Sequence, residues 1–235
     1  MSDKKSKYMD ISAIELSSIH DNSYHPLLES HLVDKFEAIL RQSTKTEDFT
    51  IKREVGVGRN IADLVAFYLP SNNNSLFSAR LSAADAVIVS LLRKAKRISI
   101  SQLANSAELT DELLLRRISS FIKAGLVYVE GSSLVLRENW PSLKIVAYEA
   151  KLKNWREALE QASDYLHFAD EAYVVMPETF ALKAVYYLEI FLERGVGIIS
   201  VDNHSFKILL ESSRKNNHDW RREFVYSRAY DIRNT

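Results

Sequence analysis

The chain contains no cysteine, which removes disulfides, thiolate zinc sites and cysteine nucleophiles from consideration together. That absence fits a reducing compartment. Net charge is missing as well: 31 basic residues balance 31 acidic ones over 235 positions, so any nucleic-acid contact has to come from a local patch. No apolar run approaches the ~20 residues of a membrane span, and the basic start, residues 1–7, lacks the apolar core of a signal peptide. The expectation is a cytoplasmic protein with no membrane partner and a frayed N-terminus over residues 1–21.

Several catalytic signatures are absent too. His20, His25, His31, His167, His204 and His218 show no paired spacing of the HExxH kind, which argues for surface or capping roles over zinc. There is no Walker loop and no Gly-x-Ser-x-Gly elbow, and Gly56-x-Gly58 lacks the third glycine of a dinucleotide fingerprint. No nucleotide cofactor is expected.

What is present is 46% hydrophobic residues, enough for one large domain or two small ones. Leu28, Leu32, Phe36 and Ile39 recur at helical spacing after Pro26, predicting a helix through about residue 42. Residues 49–55 alternate like a strand, Gly56-Val-Gly58 predicts a turn, and residues 60–68 read as a second strand with Ile61, Asp63, Val65 and Phe67 on one face. Asp63 is then a lone carboxylate in an apolar row. It either reaches solvent, caps a backbone group, or serves chemistry.

Pro70-Ser-Asn-Asn-Asn-Ser75 is a polar linker, and the pattern changes after it. Residues 81–96 have helical periodicity, Ile98-Ser-Ile100 is a short extended piece, and residues 101–107 form a short helix. Thr110 can cap a longer helix that carries Leu114, Ile118, Phe121 and Ile122 inward and ends at Gly125. Residues 126–137 then predict a hairpin turning at Gly131. This order resembles a winged helix-turn-helix domain over residues 81–138.

Beyond Trp140-Pro141, residues 144–152 alternate as a strand with Ile145, Ala147, Glu149 and Lys151 on one side. Helices are expected over 155–169 and 178–193, strands over 171–176 and 196–201, and a short helix around 206–213. The helix over 178–193 is expected to carry an apolar stripe through Phe180, Ala184, Tyr187, Leu188 and Phe191. A tail follows with Arg214, Lys215, Arg221, Arg222, Arg228 and Arg233. Without residues 81–138 the remainder predicts an α/β mixed sheet covered by helices.

Glu149 and Lys151 project side by side from an apolar strand, where charge is costly unless paired or bound. By themselves they read as an ion pair at the edge of a sheet. A hairpin between this strand and residues 60–68 would bring Asp63 to them. Two carboxylates are the minimum hard-oxygen cage for Mg²⁺, and a neighbouring lysine can orient water or stabilise developing charge.

Asp63 followed by Glu149-x-Lys151 on the next core strand resembles the PD-(D/E)xK nuclease superfamily. Gly58-Arg-Asn-Ile-Ala-Asp63-Leu-Val65 is similar to the segment before that family's metal-binding aspartate, and Gln161-Ala-Ser-Asp-Tyr165 matches its Gln-x-x-x-Tyr signature. The resemblance covers residues 24–70 and 142–201. Ala62 replaces the proline of the name. It implies a restriction-endonuclease-like core, discontinuous over 22–78 and 139–235, with a winged-helix insertion over 79–138. It further implies a Mg²⁺- or Mn²⁺-dependent deoxyribonuclease, with Asp63, Glu149, Lys151, Gln161 and Tyr165 at the catalytic centre. Asp63 and Glu149 would hold the metal, with Glu29 where many members place an additional acid and Glu37 as an alternative to it. Trp155, beside this centre, reads as a core residue or as a surface on which a base stacks.

DNA is the expected partner. Arg59, Lys94, Lys96, Arg97, Arg116, Arg117 and Lys123 could meet phosphates, although Asp111 and Glu112 open the third helix of the insertion and repel them. The same fold can serve as a non-catalytic DNA- or protein-binding module, and a homodimer is compatible with either role.

Overall fold

Strands 144–150, 171–177 and 197–201 are apolar on both faces, and such strands need a cover on each side. The computed structural model describes residues 28–44, 49–57, 59–68, 81–123, 125–137, 143–213 and 219–229. Helix α1 (Glu29–Ser43) precedes β1 (Phe49–Val57) and β2 (Asn60–Tyr68). Then come α2 (Ala83–Ala95), β3 (Arg97–Ser99), α3 (Ile100–Ser106), α4 (Asp111–Lys123), β4 (Val127–Glu130) and β5 (Ser133–Leu136). The chain continues through β6 (Lys144–Ala150), α5 (Trp155–Tyr165), β7 (Glu171–Pro177), α6 (Glu178–Val185), α7 (Leu188–Arg194), β8 (Gly197–Val201), β9 (Phe206–Leu210) and α8 (Trp220–Ala229).

The main sheet runs β1-β2-β6-β7-β8-β9. It is mixed: β6, β7 and β8 are parallel, and the remaining neighbours are antiparallel. On one face α1 places Leu32, Phe36 and Leu40 against Leu64, Val146, Tyr148 and Val175. On the other, Val65, Phe67, Ile145 and Val174 pack with Ala158 and Leu159 of α5, Ala181 of α6, Phe191 of α7 and Val225 of α8. Alternation along β2 and β6 thus feeds two separate cores.

Gly197 is required by that packing. It pairs with Tyr173 on β7, whose ring lies where a Cβ would go, and that Cβ would also sit 2.6 Å from the Leu210 carbonyl oxygen. Gly197→Ala should therefore destabilise the fold by about 3 kcal/mol, read as a lower midpoint in urea denaturation.

The segment between β2 and β6 forms its own antiparallel sheet, β3-β5-β4, beside three helices. Ser82 and Asp85 close a capping box on α2, the Thr110 hydroxyl accepts from the Leu113 amide at 3.2 Å, and Gly125 and Gly131 take φ values of +69° and +62° where the chain turns. Its core, including Ile88, Leu92, Leu114 and Ile118, is continuous with the α8 side of the main sheet. Arg93 of α2 donates to the Glu223 carboxylate of α8 at 2.6 Å.

Several expectations are corrected. Residues 206–210 form strand β9, because their backbone groups pair with β8 and a run apolar at most positions fits either period. The single helix expected over 178–193 is two, α6 and α7, broken at Tyr186 and Tyr187. Of the apolar stripe, Ala184 and Phe191 are buried and Tyr187 is 41% exposed. Strand β1 runs through Gly56 and Val57, so the turn comes later than expected. Helix α5 stops at Tyr165 rather than residue 169. The basic tail contains α8, in which Arg222 is buried and donates to the Leu143 and Phe168 carbonyls and to Asp170. Residues 1–21, Pro26, Gly58, the 70–75 linker, Trp140, Pro141, Arg214, Lys215 and Arg233, together with His20, His25 and His218, lie outside the described residues. Among the described residues no helix is long and apolar enough to cross a membrane.

Candidate active site

The β2–β6 ladder ends at the pair Leu64 and Tyr148, and one step further outward sets Asp63 opposite Glu149. There the backbone ladder gives way to a side chain: the Ala150 amide donates to Asp63 Oδ2 at 2.8 Å. Beside it on β1, Glu54 adopts a left-handed φ of +52° between the pairs Arg53–Leu64 and Val55–Ala62, a sparsely populated conformation of the kind that clusters at functional sites.

Glu149 is 2% exposed. Burial, and then the charge of Asp63, push its carboxyl up from the ordinary 4.5 to about 7, against the hydrogen bond from Tyr165 and the charge of Lys151. Burial likewise raises Asp63. Two carboxylates that each disfavour the other's ionisation share one poorly solvated corner.

Tyr165 supports this pair. Its hydroxyl lies 2.5 Å from Glu149 Oε2 and 2.9 Å from the Ile61 carbonyl. A phenol has one proton. It goes to Glu149 when that carboxylate is ionised; when Glu149 is protonated, the carboxyl can donate to the phenol, which then donates to Ile61. Gln161, one turn earlier on α5, carries a buried Oε1 with no hydrogen-bond partner. That enclosed acceptor is unsatisfied, and a buried water would satisfy it.

Lys151 draws in acids from three elements. Its ammonium lies 3.4 Å from Glu29 of α1, 3.7 Å from Glu149 and 3.6 Å from Glu157 of α5. Burial alone would lower its pKa, but the charges of Glu29, Glu149 and Glu157 outweigh it and hold the lysine above its ordinary range. Lys151 is a permanent cation here. Glu29 thus reaches the site but contacts the lysine, while Glu37 is engaged by Arg41 and Arg53 away from it. Glu54 and Glu157 were missed in the sequence. The only signal for Glu157 was its place three residues after the helix-capping Asn154, to which it is bound.

This donor set suits a hard divalent cation. Asp63 and Glu149 each have one oxygen held by a protein donor, and the mutual repulsion of the pair is what such an ion relieves. Among the described residues no three His, Asp or Glu side chains gather into a cage, so water and substrate oxygens would complete the shell, as is usual for Mg²⁺.

Removing the Tyr165 hydroxyl tests this reading of the site. Tyr165→Phe should raise the Glu149 pKa further and weaken Mg²⁺ binding at pH 7 by about tenfold, as measured by calorimetric titration, with little change at higher pH where Glu149 is ionised in either protein.

The residues expected to meet phosphate are dispersed. Arg59 is exposed at the β1–β2 turn, and Lys94, Lys96, Arg116 and Lys123 are exposed on the insertion. Arg97 is tied to Glu130 and Arg117 to Asp85. Around Asp111 and Glu112, α4 instead exposes Leu113 and Leu115, and the β4 strand exposes Tyr128 and Val129.

No family model matches the chain, and no curated protein matches it. Among solved structures, a protein of unknown function from Silicibacter pomeroyi is similar at 11% identity over 89% of this chain and 90% of that chain, with a TM-score of 0.42. A likeness at that level carries no argument about fold or function.

Proposed function

We propose that this protein is a metal-dependent nuclease that hydrolyses DNA phosphodiester bonds, built on a restriction-endonuclease-like core of residues 22–78 and 139–235 with a winged-helix insertion over 79–138. The observation that carries the proposal is the convergence of Asp63, Glu149, Lys151 and Tyr165 from two neighbouring strands and one helix. Asp63 and Glu149 would hold Mg²⁺ or Mn²⁺, which supplies Lewis-acid polarisation of the phosphodiester and offsets its charge. Lys151, kept protonated by its acid neighbours, stabilises charge that develops on the phosphate oxygens. Tyr165 fixes the orientation of Glu149. Gln161 offers an acceptor for positioning water.

A second reading, a scaffold that docks a partner without cutting, is favoured by the insertion's outer face. The insertion exposes Leu113 and Leu115 on α4, the helix that opens with Asp111 and Glu112, and Val129 on β4, side chains that suit a protein contact better than a phosphate backbone. Incubation with linear, nicked and single-stranded DNA in Mg²⁺ or Mn²⁺ separates the two. Cleavage abolished by chelation supports the nuclease; intact DNA under all conditions supports the scaffold.

A further inference from the structure

Immediately beyond Lys151 the chain builds a surface that the catalytic centre does not use. Trp155, the first residue of α5, stacks on Tyr187 with ring centroids 4.6 Å apart and planes at 27°. The Arg156 guanidinium lies 4.5 Å from the Trp155 ring and 5.5 Å from that of Tyr187. Phe180 of α6 is flanked by Lys153 at 5.8 Å and Lys183 at 5.2 Å. Tyr187 remains 41% exposed despite its stack, and its neighbour Tyr186 is 75% exposed.

The position is set by the site. Lys153 and Trp155 follow Lys151 by two and four residues, and Glu157, in the same first turn of α5, touches the Lys151 ammonium. Interleaved rings and cations match one ligand chemistry: rings take the faces of unpaired bases, while guanidinium and ammonium groups take the phosphates between them. An intact duplex presents no base faces. Lys153, Arg156 and Lys183 are the three cations that would meet a polyanion here; the acids of the same helices, Glu157, Glu160, Asp164, Glu178, Glu189 and Glu193, are also exposed.

Resting on the nuclease reading, we propose that this aromatic and cationic shelf holds unpaired nucleotides next to the scissile phosphate, so that the substrate is a single strand, an overhang or a frayed end. Binding is measured without metal, by fluorescence anisotropy of a labelled oligothymidylate and of a blunt duplex. The wild type should prefer the single strand. Tyr187→Ala and the surface change Lys183→Glu should each weaken single-strand binding about tenfold and duplex binding much less. Equal binding by wild type and both variants, or a preference for duplex, overturns the shelf. If the variants lose single-strand affinity while wild type cuts nothing in Mg²⁺, the shelf stands and the nuclease falls. If wild type and variants cut with the same strand preference, the nuclease stands and the shelf falls.

Discussion

Asp63→Asn and Lys151→Ala should each lower DNA cleavage by about 10³-fold, with opposite effects on stability. Asparagine at 63 keeps an oxygen for the Ala150 amide, now at 2.8 Å from Oδ2, and removes a carboxylate whose pKa is raised by burial. That variant should melt at the wild-type temperature or above it. Alanine at 151 removes what is, among the described residues, the only cation within 4 Å of three carboxylates of the site, Glu29, Glu149 and Glu157, leaving their repulsion uncompensated. Its melting temperature should fall. Both the inactive, stable Asp63→Asn and the inactive, unstable Lys151→Ala are needed, because a loss of cleavage in the second alone would report only a damaged fold. Cutting of linear and nicked DNA in Mg²⁺, measured beside thermal melts, decides. Residual cutting equal to wild type in both variants would sink the catalytic assignment.

In metal-free buffer the protein should lose stability as pH rises from about 5 to about 7.5, and Mg²⁺ should restore it. The Glu149 carboxyl titrates near 7 in the folded protein against an ordinary 4.5. Across that window the folded state keeps a proton that the unfolded chain has released, so raising the pH favours unfolding. The stability is fully present below the unfolded value and is lost as pH rises through the folded one. The size is on the order of 3 kcal/mol for a group this buried; burial shifts Asp63 in the same direction. A divalent cation reverses the effect only where both carboxylates are ionised, so the melting temperature should rise with Mg²⁺ at about pH 8 and hardly at about pH 5. Glu149→Gln should flatten the metal-free profile. A flat profile in the wild type would mean that Glu149 is ionised throughout and that the pair is not poised for a cation.

The neighbourhood of the site was legible because its signals are local. Alternation in residues 144–152 put Glu149 and Lys151 on one side of a strand, a spacing of four put Gln161 and Tyr165 on one side of a helix, and Asp63 stood out as charge in an apolar row. Residues 206–210 could not be assigned in the same way. Phe206, Ile208, Leu209 and Leu210 satisfy a helical or an extended pattern, and pairing with β8 chooses between them. The break at Tyr186 and Tyr187 carried no proline or glycine to announce it.

Sequence alone determined which segments are helix or strand over most of the chain, and which side chains each presents together, because the directions of successive Cβ atoms follow from backbone geometry within a few residues. Only the tertiary structure decided that Glu29 and Glu157, from helices far apart in the chain, close around Lys151, and that Glu149 holds its proton to about pH 7. Those outcomes depend on water being excluded and on charges meeting across the fold, and neither is written in any local spacing.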